Sequence, residues 1–357
     1  MHSTHVISGP ASVAAEAQPL RALPADLSER IAIARFFLIA AIVVLHTPPY
    51  RPLEELGLNP MDFVKGLLSG PLLRNALPLL TMMSGFLLFH LGYSSYRELV
   101  QRKFRSLIVP LVVWNAPVAA AIYVVQRFSL IDLQLSETLH PATLDAWVNA
   151  LFALSAESAN FPLYFLRDLF ALTLLAPLFR VCYRYAPLAG LAGASLVALN
   201  GLDGPFLFRS DLLIFFYLGG LVAAKRFDVK ALDDYASLAL AVLLVGSVVL
   251  VLLDQMPNVY LRAVAAPLLM WPAIGLLVGT RFGAFCHRNS GASFLIFVSH
   301  GAILALLWLL YARLSSGVPY AVFYVGAPLI CIFFGIVADD LGLRFSPRIR
   351  SALLGRR

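Results

Sequence analysis

Apolar runs of about twenty residues, each closed by a short polar or basic stretch, recur along most of this chain. A helix of ~20 apolar residues rises ~30 Å, the thickness of a bilayer's hydrocarbon core. The pattern predicts ten such spans, at residues 30–48, 70–91, 105–126, 161–181, 187–200, 210–225, 236–254, 260–279, 291–313 and 318–338. The run at 187–200 is short and rich in Gly and Ala. The expected fold class is all-α, a polytopic membrane bundle of about ten transmembrane helices. Composition points the same way: 60% of the 357 residues are hydrophobic and 13% charged, against about 25% charged in a soluble domain.

The breaks between runs carry the orientation. Eighteen Lys and Arg fall on the side of Arg21, Arg30, Arg97–Arg105, Arg180, Lys225 and the last residues, and eight on the other. Those eight are Arg51, Lys65, Arg74, Arg127, Arg167, Arg209, Arg262 and Arg313. Cytoplasmic loops carry the excess of basic residues. Both termini are therefore expected in the cytoplasm, with an even number of spans. The net charge of +7 then reports basic loops beside anionic lipid rather than nucleic-acid binding. Residues 1–29 read as a disordered tail without signal-peptide features, 30–341 as the membrane domain, and 342–357 as a basic cytoplasmic tail. Cys182, Cys286 and Cys331 are far apart and suggest neither disulfides nor a metal site. The longest outer loops, 50–69 and 127–160, include a predicted amphipathic helix over 143–153 and the acidic and aromatic side chains Asp132, Glu137, Asp145, Trp147 and Glu157. Such a set suits carbohydrate, and equally a plain solvated loop.

Several polar groups sit where hydrocarbon should reject them. Arg35 and His46 lie 11 residues apart in the first span. At ~100° and ~1.5 Å per residue they share a face, roughly 16 Å apart. A charged side chain inside a span ordinarily faces protein or water; the plainer alternative is an Arg35 that reaches for the headgroups and an interfacial His46 beside the helix-ending Pro48-Pro49. Ser84-Gly85 makes a small spot on the second span, suited to close backbone approach. Arg102 and Arg105, three apart, with Lys103 beside them, can converge on phosphate, or form an ordinary basic collar. Arg167 and Asp168 open the fourth span; adjacent helical residues point ~100° apart, so each is expected to find a partner on another helix. His300, next to Ser299 in the ninth span, is either a buried neutral histidine bonded across helices or a reacting group. There is no H-E-x-x-H, no G-x-S-x-G elbow and no phosphate-binding glycine loop.

In order and spacing, these segments resemble acyltransferase family 3, a family of bacterial integral membrane proteins. The matching features are the Arg-x10-His of Arg35 and His46, Ser84-Gly85-Phe86, the Arg-x-x-Arg of Arg102 and Arg105, Tyr164-Phe165-Leu166-Arg167, and Ser293 to His300. The H-T-P-P-Y after the first span resembles the exopolysaccharide-modifying subgroup. The resemblance implies transfer of an acyl group, acetyl first, from cytoplasmic acetyl-CoA (an acyl-CoA donor) to a sugar hydroxyl of a polysaccharide or lipid-linked oligosaccharide, with no metal. It implies that Arg102, Lys103 and Arg105 hold the donor's phosphates and that Arg35 extends the cationic path inward. His46 is then the base, directly or through an acyl-histidine, with Asp168 orienting a histidine and Arg167 or Ser84 steadying the oxyanion; His300 completes the set. Membrane lipids and other polysaccharide-assembly proteins are the expected surroundings. Two rival classes remain: a transporter or flippase for a lipid-linked saccharide, which needs no coenzyme A, and a membrane scaffold, which needs no His46.

Overall fold

The computed structural model describes residues 22–49, 59–129, 138–202, 204–314 and 317–342, together with Leu353. Most of the two expected tails, Tyr50, Asp132 and Glu137 lie outside the described residues. Sixteen α-helices follow in chain order: α1 Ala25–Leu45, α2 Pro60–Leu67, α3 Ala76–Leu91, α4 Tyr96–Lys103, α5 Val109–Arg127, α6 Leu144–Phe152, α7 Tyr164–Leu174 and α8 Ala176–Tyr185, then α9 Pro187–Asn200, α10 Asp211–Ala224, α11 Ala236–Leu252, α12 Val259–Ala265, α13 Trp271–Gly275, α14 Arg281–Arg288, α15 Ser293–Leu314 and α16 Tyr320–Gly342. No strand occurs among the described residues.

Five continuous helical stretches are long and apolar enough to cross a membrane: Pro60–Leu91, Tyr96–Arg127, Asp233–Leu252, Ser290–Arg313 and Tyr320–Leu341. Three shorter apolar helices, Pro187–Asn200, Asp211–Ala224 and Val259–Gly275, accompany them. The membrane character of the bundle stands; the count of ten spans does not emerge from helix length and composition. The reasons are local. α1 is long, but Glu29, Arg30 and Arg35 interrupt its apolar character. The run at 161–181 is broken at Leu175 between α7 and α8. α1 also starts earlier than its apolar pattern, at Ala25 after Pro24, because acidic Asp26 suits the first helical turn. The amphipathic helix expected at 143–153 is present as α6, with the Thr143 side chain capping Ala146 N.

α1 is the central strut and packs against α3, α13, α14, α15 and α16. Between Arg30 and Val43 only Arg35 is exposed on it. α3 and α10 form the tightest pair, and glycines make it possible. A Cβ on Gly219 would lie 1.9 Å from the Met82 carbonyl oxygen, and one on Gly85 2.2 Å from that of Phe216. Ser84-Gly85 thus serves close helix approach, as small residues do inside membranes.

At the start of α1, Arg30 is 2% exposed. Its Nη1 donates to Asp233 at 2.7 Å and its Nη2 to the Trp271 carbonyl at 2.6 Å, with the guanidinium 4.2 Å from the centre of the Trp271 ring. The sequence pattern placed Arg30 among loop cations; the structure makes it a clamp between α1, the turn before α11, and α13.

Candidate active site

The other end of α1 carries the candidate site. Pro48 and Pro49 lack the N–H that a further turn requires, so the helix stops with His46 as its cap, its own N–H donating to the Ile42 carbonyl at 3.0 Å. The exit is then held in place. Tyr320 Oη donates to the Pro48 carbonyl at 2.8 Å, and Lys65 Nζ donates to the Pro49 carbonyl and, at 2.7 Å, to Tyr320 Oη.

His46 meets His300, 254 residues later, through Nδ1 and Nε2 at 3.0 Å. His300 is fully buried on α15, and its Nδ1 lies 2.6 Å from the Phe297 carbonyl oxygen. A carbonyl only accepts, so this contact assigns a proton to His300 Nδ1. A neutral His300 then accepts at Nε2, and His46 Nδ1–H is the donor. His46 Nε2 is left as that ring's lone-pair nitrogen, the atom a general base uses. The Phe161 ring stands edge-on to the His46 ring, with centroids 5.0 Å apart at 89°. Behind His300, Asn160 Nδ2 donates to the Val298 carbonyl at 2.8 Å, and Asn160 N donates to Asn115 Oδ1 at 2.9 Å. This buried chain joins α5, the turn before α7, and α15.

His46 opens onto a cavity of about 420 Å³ whose wall includes Lys65, Arg74, Tyr164, Arg209 and Arg262. Asp211 binds Arg209 at 3.1 Å and Arg262 at 3.3 Å. Arg209 is placed by Asp168. That carboxylate, fully buried, accepts from the backbone N–H of Phe208 and of Arg209, each at 2.9 Å, and from Arg167 Nη1 at 2.9 Å. Arg167 also donates to the Pro205 carbonyl. Neighbours in sequence, Arg167 and Asp168 therefore do pair with each other, and together they hold the 205–209 segment. Asp168 meets backbone amides and Arg167, not a histidine.

The remaining sequence candidates lie elsewhere. Ser84 Oγ donates to the Leu80 carbonyl within its own helix, at 2.9 Å, and does not line the cavity. Ser299 likewise donates to Leu295 O at 2.8 Å. Arg102 and Arg105 are exposed and Lys103 half-buried, beyond the far end of α3 from Arg74. The 16 residues of α3 separate the two by ~24 Å of helix rise. Arg35 stands between the two ends of α1 and lines no part of the cavity.

The model of the Acyltransferase domain family 3 matches residues 29–337. The chain is also 31% identical over 354 residues to the succinoglycan biosynthesis protein ExoH of Rhizobium meliloti (strain 1021), covering 94% of each chain. This chain belongs to acyltransferase family 3. It is an O-acyltransferase enzyme built on a membrane helix bundle. No solved structure matches the chain. Among the described residues of this acyltransferase, no group of three or more His, Cys, Asp and Glu side chains is arranged to hold a metal. Sequence reasoning missed the cavity's cations as site residues. The available signal was that Lys65, Arg74, Arg209 and Arg262 are four of the eight basic residues on the poorly charged side of the bundle.

Proposed function

We propose that this acyltransferase moves an acyl group, acetyl first among the candidates, from an acyl-CoA on the cytoplasmic side of a bacterial inner membrane to a hydroxyl of an exopolysaccharide sugar or its lipid-linked precursor. The observation that carries this reading is the relay from His46 Nδ1 through His300 to the Phe297 carbonyl, which dedicates His46 Nε2 to proton acceptance at the mouth of a ligand-sized cavity. The relative of known pathway is named for succinoglycan biosynthesis, which supports a polysaccharide acceptor. The basic bias of the loops supports cytoplasmic termini, with the His46 end of α1 outside and the Arg102 end inside.

Acyl-CoA supplies an activated thioester. The chain's cytoplasmic donor set fits its phosphates: Arg102 and Arg105 are exposed, and Lys103 is half-buried between them. Arg35, the exposed cation on an otherwise covered stretch of α1, continues that path towards His46. His46 Nε2 receives the proton of the attacking hydroxyl, worth typically ~10²–10⁴-fold in rate. It returns that proton to the departing sulfur. Nε2 is equally the atom that would carry the acyl group if transfer runs through the enzyme. His300 holds the tautomer. Arg167 and Asp168 act as positioning residues through the 205–209 segment, and Ser84 through the α3–α10 contact.

Proton NMR of surface and secreted polysaccharide from wild type, deletion and His46→Ala cells tests the reading. Loss of one O-acyl signal in both mutants, with polysaccharide yield unchanged, is the expected result and names the acyl group. Loss of all polysaccharide in the deletion, with a normal His46→Ala product, would favour the flippase or scaffold and overturn the acyl-transfer mechanism.

A further inference from the structure

Three arginines gather at the cavity above His46, and one of them, Arg74, has no carboxylate partner among the described residues. Arg74, Arg209 and Arg262 line it; Asp211 binds Arg209 and Arg262, and the Glu157 and Asp168 carboxylates lie within electrostatic reach of Arg209. The Arg262 side chain is 15% exposed, and its Nε is buried without a hydrogen-bond partner among the described residues. Arg74 uses its Nε on the Ser69 carbonyl, at 2.9 Å. That bond leaves the charge of its guanidinium unmatched by any carboxylate among the described residues. Arg74 is exposed, the Arg209 side chain 41% exposed and Arg262 largely buried, and like charges gathered at one cavity favour an anion among them. Three arginines from three separate elements, with forked donors suited to carboxylate and phosphate, describe an anion site.

We propose that Arg74, Arg209 and Arg262 bind an anionic group of one of the two substrates, a carboxylate or a phosphate, and so select which acyl transfer this enzyme performs. The inference rests on the acyltransferase reading above. The anion has two sources. It is either the distal carboxylate of a dicarboxylic acyl group, brought to the same cavity as the reacting carbonyl, or an acidic substituent or phosphate of the acceptor. Either source places a charge next to His46 when the substrate is correct, and a neutral substitute forgoes that contact.

The test separates binding from catalysis. Full-length protein in nanodiscs is dialysed against radiolabelled succinate and, separately, inorganic pyrophosphate. Wild type is expected to retain at least one of them, and Arg74→Gln/Arg262→Gln to lose it at least tenfold. Arg74→Lys/Arg262→Lys, which keeps the charge, is expected to recover part of the binding and guards against a folding artefact. His46→Ala is expected to bind the anion as wild type does, so loss of catalysis and loss of the anion site are read independently. Transfer assays with acetyl-CoA and succinyl-CoA then assign the source. A fall confined to succinyl transfer in the Gln variant places the anion on the donor. A fall with both donors, seen as a raised KM for the acceptor, places it on the acceptor. Equal anion retention by wild type and the Gln variant, or a Gln variant with unaltered KM for acceptor and both donors, overturns the proposal while leaving the role of His46 intact.

Discussion

The two ends of α1 hold buried charge of opposite kinds. Arg30 and His46 are 16 residues apart, ~24 Å along the helix. At the Arg30 end both terminal nitrogens of the guanidinium are engaged, by Asp233 and by the Trp271 carbonyl, with an aromatic ring against its face. The Arg30 Nε is buried without a hydrogen-bond partner among the described residues, as that of Arg262 is, but its charge is matched by Asp233. At the His46 end, Arg74, Arg209 and Arg262 share one cavity, Asp211 binds two of them and Arg74 meets no carboxylate among the described residues, while His46 Nδ1 is hydrogen-bonded to His300. Buried charge by itself does not mark a functional site; the proposed site is set apart by an arginine with no carboxylate partner among the described residues beside a hydrogen-bonded histidine pair.

The comparison breaks most visibly at His46. His46→Ala should lower acyl transfer by ~10²–10⁴-fold with no change in thermal stability, measured as transfer rate and unfolding temperature on the same preparation. Arg30→Ala should do the converse. Removing one partner of a buried ion pair costs about 3–5 kcal/mol, and Asp233 is 37% exposed on its side chain, so a loss of roughly 2–3 kcal/mol is expected. It should be seen as a lower unfolding temperature and reduced membrane abundance, with the rate per folded molecule preserved. A slow but stable Arg30→Ala protein would move Arg30 into the site.

Smaller effects sharpen the contrast. His300→Leu removes the acceptor that fixes His46 Nδ1–H, and about one hydrogen bond of orientation corresponds to a loss of roughly tenfold in rate. His300→Gln keeps an acceptor and should lose less; equal rates in the two variants would mean that the imidazole pair is only packing. At the cytoplasmic end, Arg102→Gln/Arg105→Gln should raise the KM for acyl-CoA several-fold and spare kcat, because exposed cations contribute about 0–1 kcal/mol each. An unchanged KM would place the donor elsewhere.

What the sequence made legible follows from what each signal depends on. The α-only membrane class and α6 were readable, because apolar runs and capping residues are local signals, and Arg35 and His46 stood out as polar groups within an apolar run. The pairing of His46 with His300 was not, since their ring contact spans 254 residues and depends on how α1 and α15 meet. Arg167 and Asp168 showed as unusual charges, but their work is done on backbone amides of the 205–209 segment, which no spacing in the sequence announces. The cavity cations were visible as exceptions to the loop-charge bias. They came together only when the turn before α3, the segment before α10 and α12 brought Arg74, Arg209 and Arg262 to one place.

One backbone irregularity joins the two ends compared above. Between α12 and α13, residues Ala266–Met270 wind as a π-helix, with Pro267 in its first turn. Upstream of it stands Arg262 of the cavity; downstream stands Trp271, which seats Arg30. Nine residues in an unbroken α-helix would set the two about 180° apart and leave no freedom in that angle. The wider turn takes up the difference, as single π turns at working sites do. It acts as a phase adjuster: one helical run aims an arginine into the cavity at one end and an indole onto the structural clamp at the other, and the five residues of the wide turn set the rotation between those two aims.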